Sequence, residues 1–287
     1  APTSPPPDGS GVRAAGGAGR LVDVTVDLHA GNASVTIDPD DGGRLSAFVI
    51  SGNELLYHAG DDPTMHGSFV MAPYAGRVRN GEFTHRDRDV TLPTNLAPHA
   101  AHGLALDRPW TLLEYDENSA ILSCEFDERW PFGGRVVQYI RLESERLVQK
   151  VAVEADQRSF PASIGWHPWF SRRLSHSTPA QVSLDAAAML RRDNDHIATT
   201  QRMRIPEGPW DDCFVDVNWP VSIAWPGFLR LDISADTNYV VVFDEGEVAV
   251  CVEPQTAPPN SFNTDPLIVR PGRPLRARTD WRWRSRL

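Results

Sequence analysis

The sequence contains a single lysine among its 287 residues, and this scarcity restricts the covalent chemistry open to the protein. Lys150 lies in the alternating stretch LVQKVAVEA, which is typical of a β-strand. A Schiff-base mechanism would depend on this one side chain, so it is disfavoured. Almost all positive charge is arginine, and the formal net charge of −10 disfavours nucleic acid and anionic membrane surfaces as partners.

Cysteine and long apolar runs are also scarce. The three cysteines, Cys124, Cys213 and Cys251, form no C-x-x-C pair, which argues against a disulfide-stapled secreted domain. No run approaches the roughly 18 apolar residues that a membrane helix needs. Residues 1–20 lack the basic and apolar regions of a signal peptide and are rich in Pro, Gly and Ala. We therefore predict a flexible tail over 1–20, a single domain over 21–287 and a cytoplasmic location.

The nucleotide and nucleophile motifs of common enzyme folds are missing as well. The chain has no G-x-G-x-x-G, no P-loop and no G-x-S-x-G. With 24 prolines, long helices are disfavoured. What the chain does have is a series of short alternating stretches separated by turn signals, which predicts an all-β, large antiparallel β-sandwich or barrel. The one stretch with helix-like propensity is SLDAAAMLRR.

The stretch SIGWHPWF, residues 163–170, surrounds one histidine with aromatic rings. Pro168 drives the backbone of His167 out of the α region and holds it extended. The stretch is compatible with a partly buried histidine in an aromatic cluster. It is also compatible with a general acid or base beside Trp166 and Trp169, whose faces suit the apolar side of a sugar ring.

A second residue held by a following proline is Glu253, in EVAVCVEPQT. Strand parity places Val248, Val250 and Val252 on one face, and the glutamate on the other face behind the smaller residues Ala249 and Cys251. Small neighbours leave room for a pocket floor, and we expect Pro254 to end the ladder. The alternative is an exposed carboxylate at a strand end.

Three further places carry polar side chains of interest. His99 and His102 have H-x-x-H spacing, which without a nearby third ligand is a weak metal signal, and Gly103 suggests a turn that presents the second ring. Arg77 and Arg79 precede an Asn-Gly turn. An acidic pair stands in WDDCF, residues 210–214.

Together these segments resemble the aldose 1-epimerase (galactose mutarotase) family over about residues 30–285. AGRVRNGEF, HGLALDRPW, GWHPWF and VEPQT occur in the family's order. His-Pro-aromatic-Phe and Glu-Pro-Gln are the more specific pieces. The resemblance implies a large antiparallel β-sandwich, a cleft on one sheet, a monosaccharide substrate and no metal or organic cofactor. It also implies a strand at VSLDA, against the helix propensity of the alanines.

The resemblance implies a role for each matching residue. His167 would protonate the ring oxygen, and Glu253 would take the proton from the anomeric hydroxyl. The implied sugar-hydroxyl ligands are Arg77, His102 and Asp211, with Asp212 an alternative one position away. Since ring opening needs one proton removed and one delivered, we expect His167 and Glu253 to face each other across a sugar-sized cleft.

The chain departs from the family's pattern in ways that leave the sugar open. Gly76 stands where the family usually has Asn, and Trp169 replaces the common Tyr. The primary prediction is a mutarotase of free aldoses. The alternatives are a mutarotase of hexose phosphates, a non-catalytic sugar-binding or sensing protein, and a glycoside hydrolase using Glu253 with Asp211. The oligomeric state stays open.

Overall fold

The computed structural model describes residues 25–58, 62–175 and 177–285. The predicted tail of residues 1–20 lies outside these ranges. The first strands are β1 (Val26–Ala30), β2 (Ala33–Asp38), β3 (Arg44–Ile50), β4 (Asn53–Glu54), β5 (Ser68–Met71), β6 (Arg77–Val78), β7 (Glu82–His85), β8 (Arg88–Thr91), β9 (Ala100–Ala101), β10 (Thr111–Tyr115), β11 (Ser119–Glu125), β12 (Arg135–Glu143) and β13 (Arg146–Glu154). The later strands are β14 (Phe160–Pro161), β15 (Gly165–Ser171), β16 (Gln181–Ser183), β17 (Ala186–Arg192), β18 (Ala198–Met203), β19 (Asp211–Val217), β20 (Val221–Trp225), β21 (Leu229–Ala235), β22 (Tyr239–Phe243), β23 (Ala249–Gln255), β24 (Ile268–Val269) and β25 (Leu275–Ser285). Two short 3₁₀ helices cover Arg79–Gly81 and Ser261–Asn263.

Two large antiparallel sheets contain most of these strands. The 11-stranded sheet has the order β1-β2-β3-β5-β15-β23-β22-β19-β17-β18, with β4 paired to β3. The 8-stranded sheet has the order β10-β11-β12-β13-β25-β21-β20-β16. The prediction of an all-β antiparallel sandwich is confirmed. Since β15 and β23 are neighbours near the middle of the larger sheet, GWHPWF and VEPQT lie side by side.

The main core lies between the two sheets. Alternate residues of β12 point inward, and Val136, Ile140 and Leu142 are fully buried. Phe170 of β15 contacts Trp281 of β25 at 5.2 Å between ring centroids. This contact joins the strand that carries His167 to the opposite sheet, so core packing fixes the position of β15.

The segment with helix-like propensity is not helical. It forms the end of β16 and the whole of β17, with a break between them at Leu184 and Asp185. The single strand implied at VSLDA is therefore wrong, because Val182 and Ser183 end β16 of the 8-stranded sheet and Ala186 begins β17 of the 11-stranded sheet. Tertiary pairing overrides the propensity of the alanines, because β17 is hydrogen-bonded between β18 and β19.

Within the described ranges, no helix has the length and apolar character needed to span a bilayer. The predicted cytoplasmic location and the single-domain boundary at residue 21 stay predictions.

Candidate active site

His167 and Glu253 lie next to each other on one face of the larger sheet. In the register between β15 and β23, Gly165 pairs with Gln255 and Trp169 pairs with Cys251. This register places His167 beside Glu253, and its Nε2 lies 3.4 Å from the Glu253 Oε1. The expectation that the two face each other across a cleft is wrong, because they share the floor of one pocket.

The two tryptophans of GWHPWF point in opposite directions. Trp166 is fully buried in the core between the sheets, whereas Trp169 lines the pocket with His167. The side-chain period of two along a strand explains the difference. The interpretation of Trp166 as a sugar-stacking residue is therefore wrong, since its ring is on the core side of β15.

β23 shows the predicted parity with two differences. Val250 and Val252 are in the core and Cys251 is on the other face with Glu253, but Val248 precedes the strand and is 56% exposed. Pro254 does not end the ladder, since it pairs with Val240 of β22 and the strand continues for another residue.

Burial shifts both members of the pair towards their neutral forms. Burial, and next the charge of Asp211, raises the pKa of Glu253 well above its ordinary value. Burial, followed by the neighbouring His102, lowers the pKa of His167 well below its ordinary value. Gln255 also donates a hydrogen bond from Nε2 to the Glu253 Oε2, at 3.3 Å. The two shifts favour a pair that holds one proton, with a protonated carboxyl and a neutral imidazole.

His102 enters the pocket from the loop after β9. It has a positive φ of 64°, and Gly103 follows at 87°, where a Cβ would lie 2.3 Å from the carbonyl oxygen of Ala72. The turn expected at Gly103 is thus present. The ring of His102 meets that of His167 edge-on at 4.8 Å. Burial, and next Arg77, lowers the pKa of His102 to about 4, so its ring is neutral at pH 7.

Arg77 and the acidic pair occupy another part of the pocket. The Nη1 of Arg77 donates to the carbonyl oxygen of His196 at 3.0 Å. Arg192 contacts Asp211 at 3.0 Å through Nη1 and Asp212 at 2.9 Å through Nε. Burial raises the pKa of Asp211, whose charge also acts on Glu253.

The cavity is open to solvent on one side and measures about 230 Å³, which suits a ligand the size of a monosaccharide. Its lining residues are Thr64, Met65, Gly76, Arg77, Leu96, His102, His167, Trp169, Arg192, His196, Ala198, Asp211, Asp212, Cys213, Val241, Phe243, Glu253, Gln255 and Pro259. Its deepest polar groups, His167 and Glu253, are only 5% and 4% exposed. At the mouth, Met65 and Leu96 are 42% and 43% exposed. The cavity therefore grades from a buried polar floor to an apolar rim.

Comparison with known proteins identifies the family of this chain. The aldose 1-epimerase family matches the chain over residues 25–282. The chain belongs to the aldose 1-epimerase family. The segments GWHPWF and VEPQT fall inside the matched range and supply the two residues at the pocket floor.

One curated protein and two solved structures are similar to this chain over most of its length. YihR of Escherichia coli K12, itself uncharacterised, is 25% identical over 280 residues, covering 88% of this chain and 91% of that protein. A galactose mutarotase-like protein from Clostridium acetobutylicum superposes with a TM-score of 0.78 at 18% identity, over 91% and 95% of the two chains. Galactose 1-epimerase from Lactobacillus acidophilus NCFM gives 0.77 at 13% identity, over 96% and 98%. At these identities the two solved structures show a shared fold.

The glycine that departs from the aldose 1-epimerase pattern has a local explanation. Gly76 has a φ of 64°, and a Cβ at this position would lie 2.7 Å from Cγ of Pro259. An asparagine would fit the φ but not the space. Pro259 and Gly76 both line the cavity. Because Gly76 has no side chain, the ring of Pro259 forms the cavity wall at this point.

Two residues that line the cavity were not predicted from the sequence. Arg192 lies in the stretch with helix propensity, which hid its position beside the acidic pair. Gln255 stands inside the quoted segment VEPQT, and period two from Glu253 would have placed it on the pocket face. Arg172 and Arg173 do not line the cavity. Arg79 does not line it either, and its guanidinium forms salt bridges with Asp193 and Asp195.

Metal ligation remains limited to one candidate cluster in the described part of the chain. Ligand atoms of His167, Cys251 and Glu253 lie within 4.8 Å of one another. Burial raises the pKa of the Cys251 thiol well above its ordinary value, which opposes the thiolate form that metals bind. In the H-x-x-H pair, Nδ1 of His99 accepts from the backbone N–H of Asn80, so its Nε2 faces the Asp195 carbonyl as a donor. Independence from metal stays a prediction.

Proposed function

We propose that this member of the aldose 1-epimerase family interconverts the α and β anomers of an uncharged, free aldose. The observation that carries the proposal is the 3.4 Å contact between His167 Nε2 and Glu253 Oε1 at a buried pocket floor. Ring opening acts on two oxygens, the anomeric hydroxyl and the ring oxygen, and both are bonded to C1. An acid and a base that act on adjacent oxygens need to be adjacent themselves.

The chemistry follows from one proton shared by the pair. When that proton is on His167, Glu253 is a carboxylate and takes the proton of the anomeric hydroxyl. The C1–ring-oxygen bond breaks as the anomeric oxygen becomes a carbonyl, and the imidazolium gives its proton to the ring oxygen. Rotation about C1–C2 and closure with the roles reversed give the other anomer. No proton is gained or lost overall.

The other polar side chains suit the hydroxyls of the sugar. The neutral ring of His102, the guanidinium of Arg77 and the carboxylate of Asp211 line the same cavity. Of the two aspartates, Asp211 is the better candidate, because its side chain is 30% exposed and that of Asp212 only 11%. Trp169 offers its ring as an apolar wall.

The charge of the pocket supports an uncharged sugar over a sugar phosphate. Arg192 is neutralised by two carboxylates, Asp211 and Asp212. Among the cavity-lining residues, Arg77 is the one arginine with no carboxylate within salt-bridge distance in the described ranges. A phosphate dianion needs more than one unpaired cation, so the cavity does not match its charge.

The test is a measurement of anomer exchange by polarimetry and by NMR. Wild-type protein is assayed on α-D-glucose, α-D-galactose and the 6-phosphate of each sugar over the same concentration range. We expect accelerated exchange for at least one free aldose and a kcat/KM at least tenfold lower for its 6-phosphate. A higher kcat/KM for the phosphate would reverse the assignment of substrate class. Sugar binding by calorimetry without faster exchange would favour the non-catalytic sugar-binding protein.

A further inference from the structure

The imidazole of His167 lies between two aromatic rings. Phe69 of β5 is its cross-strand neighbour, with centroids 4.9 Å apart and planes 24° apart. Trp169 stacks on it with centroids 5.0 Å apart and the same interplanar angle. The guanidinium carbon of Arg44 lies over the Phe69 ring, 5.4 Å from its centroid. The Phe69 ring therefore contacts both the imidazole and the guanidinium.

Arg44 stands outside the cavity and is fully buried. Its Nε contacts the Asp41 carboxylate at 3.0 Å. Its Nη1 donates to the carbonyl oxygens of Pro63 and His66, at 2.8 and 3.0 Å, and its Nη2 donates to that of Leu106 at 3.1 Å. All three guanidinium nitrogens therefore have partners. The planar guanidinium of arginine can make these contacts at once, whereas the ammonium of lysine cannot.

The loop that Arg44 holds also holds Trp169. The indole Nε1 of Trp169 donates to the carbonyl oxygen of Thr64 at 2.8 Å, and Thr64 lies between the two Arg44 anchors Pro63 and His66. Thr64 and Met65 line the cavity. Arg44 thus reaches the imidazole from both sides, through Phe69 directly and through this loop and Trp169.

We propose that Arg44 is a positioning residue for His167, holding the imidazole in a stacked column of Phe69, His167 and Trp169 and placing a buried positive charge at the end of that column. This role of Arg44 adds to the proposed function, and it depends on that function only in the experiments that measure activity. The column explains why the chain surrounds this histidine with rings. Two flat faces fix the plane of the imidazole while its edge stays free to meet Glu253.

The charge of Arg44 has a direct consequence for the proton on His167. Burial is the largest cause of the lowered pKa of His167, followed by His102, and Arg44 lowers it further. The titratable and charged groups around His167 are Glu253 and Cys251 from β23, His102 from the loop after β9, and Arg44 beyond Phe69. Arg77 and Asp211 of the cavity wall act on its partner Glu253. A positive charge that disfavours the imidazolium makes it a stronger acid towards the ring oxygen.

The experiment measures the titration of His167 by NMR of its ring Cε1–H, assigned by the loss of that signal in His167→Asn. Arg44→Met removes the charge and keeps apolar volume. We expect the His167 midpoint to rise by roughly 0.5–1 pH unit. Arg44→Lys keeps the charge and loses the fork, so we expect the midpoint to stay within about 0.3 unit. This readout does not depend on catalysis, so it separates a failure of this role from a failure of the proposed function.

Kinetics supply the second readout wherever anomer exchange is detected. With Arg44→Met the whole bell-shaped profile of kcat/KM should move to higher pH, since loss of a positive charge raises both apparent pKa values of the pair. With Arg44→Lys the profile should keep its position and lose height, because the loop anchors at Pro63 and His66 are weakened.

Two controls keep the proposal falsifiable. Arg129→Met removes another tethering arginine, which holds the carbonyl of Leu104 and the carboxylate of Asp107, and it should leave the His167 midpoint in place. Asp41 is 39% exposed, so Asp41→Asn should fold even if Arg44→Met does not. Loss of this carboxylate leaves the Arg44 charge less compensated and should lower the midpoint. A folded Arg44→Met, or an Asp41→Asn in its absence, with an unchanged midpoint would overturn the proposal.

Discussion

The two faces of the 11-stranded sheet use the same strands for opposite purposes. On the face towards the other sheet, Trp166 and Phe170 of β15 lie in a continuous apolar core. On the other face, His167 and Trp169 of the same strand line a cavity with Glu253. Residues one position apart are thus almost equally buried but in different surroundings. Burial alone does not distinguish a core residue from a site residue. The face of the strand on which the side chain lies does distinguish them.

The faces differ in what burial costs. Apolar side chains on the core face gain free energy when they leave water. A carboxyl and an imidazole on the pocket face lose hydration and keep few partners, which is why their pKa values move towards the neutral forms. The pocket face therefore lowers stability in exchange for reactivity, and the following predictions test that difference.

The largest effect is expected on catalysis from the pocket face. Glu253→Gln keeps size and removes the base, and His167→Asn removes the acid. Each should lower kcat by about 10²–10⁴-fold while sugar binding changes little. The double variant should resemble the single variants, because the two groups act on one transition state. Polarimetry gives kcat, and calorimetry gives sugar affinity.

Matched substitutions outside the cavity serve as controls for that experiment. Glu125 is exposed on the smaller sheet. His85 lies in the β7–β8 hairpin, and its ring contacts the carbonyl of Ser159. Glu125→Gln and His85→Asn should retain kcat within about twofold. If Glu253→Gln and His167→Asn did the same, the pair would be structural and the sugar-binding protein would become the better hypothesis.

The next effect is expected on stability from the core face. Trp166→Ala empties a fully buried indole site and should lower the free energy of unfolding by about 3–5 kcal/mol. Trp169→Phe keeps a ring and loses the hydrogen bond to Thr64, so its loss should be about 1 kcal/mol, with a larger effect on KM. Urea unfolding followed by fluorescence measures both. A larger stability loss in Trp169→Phe would contradict the assignment of faces.

The sequence predicts the sheet class from short-range patterns, whereas the central pair is predicted only through the resemblance to the aldose 1-epimerase family. Alternation shows strands, and a proline after His167 or Glu253 marks an extended backbone. Period two, applied to GWHPWF as it was to EVAVCVE, would also have excluded Trp166 from the cavity.

The remaining features of the site depend on pairing between distant segments. No local pattern shows that β15 lies beside β23, so the 3.4 Å contact of the pair could not be predicted. Arg192 reaches the acidic pair only because β17 lies beside β19. Arg44 acts through Phe69, which is paired with His167 across strands. The register between paired strands, rather than residue composition, determines each of these contacts.

The smallest effect expected is a pH-dependent gain of stability on removing the pocket carboxyl. Because the pKa of Glu253 is raised in the native state, native protein retains a proton that unfolded protein releases above about pH 4.3. Wild-type stability therefore falls as the pH rises from that value through the native pKa. Glu253→Gln does not titrate, so its stability relative to wild type should rise steadily between pH 4 and pH 8.

The stability of His167→Asn relative to wild type should depend on pH in the opposite direction, as measured by urea unfolding. The native pKa of His167 is lowered, so unfolded wild-type protein binds a proton below about pH 6.5 that native protein does not. The advantage of His167→Asn over wild type should therefore be greatest at low pH and vanish above pH 6.5. If Glu253→Gln were instead progressively destabilised towards pH 8, the native pair would be a carboxylate–imidazolium ion pair, and the pocket face would contribute to stability as the core face does.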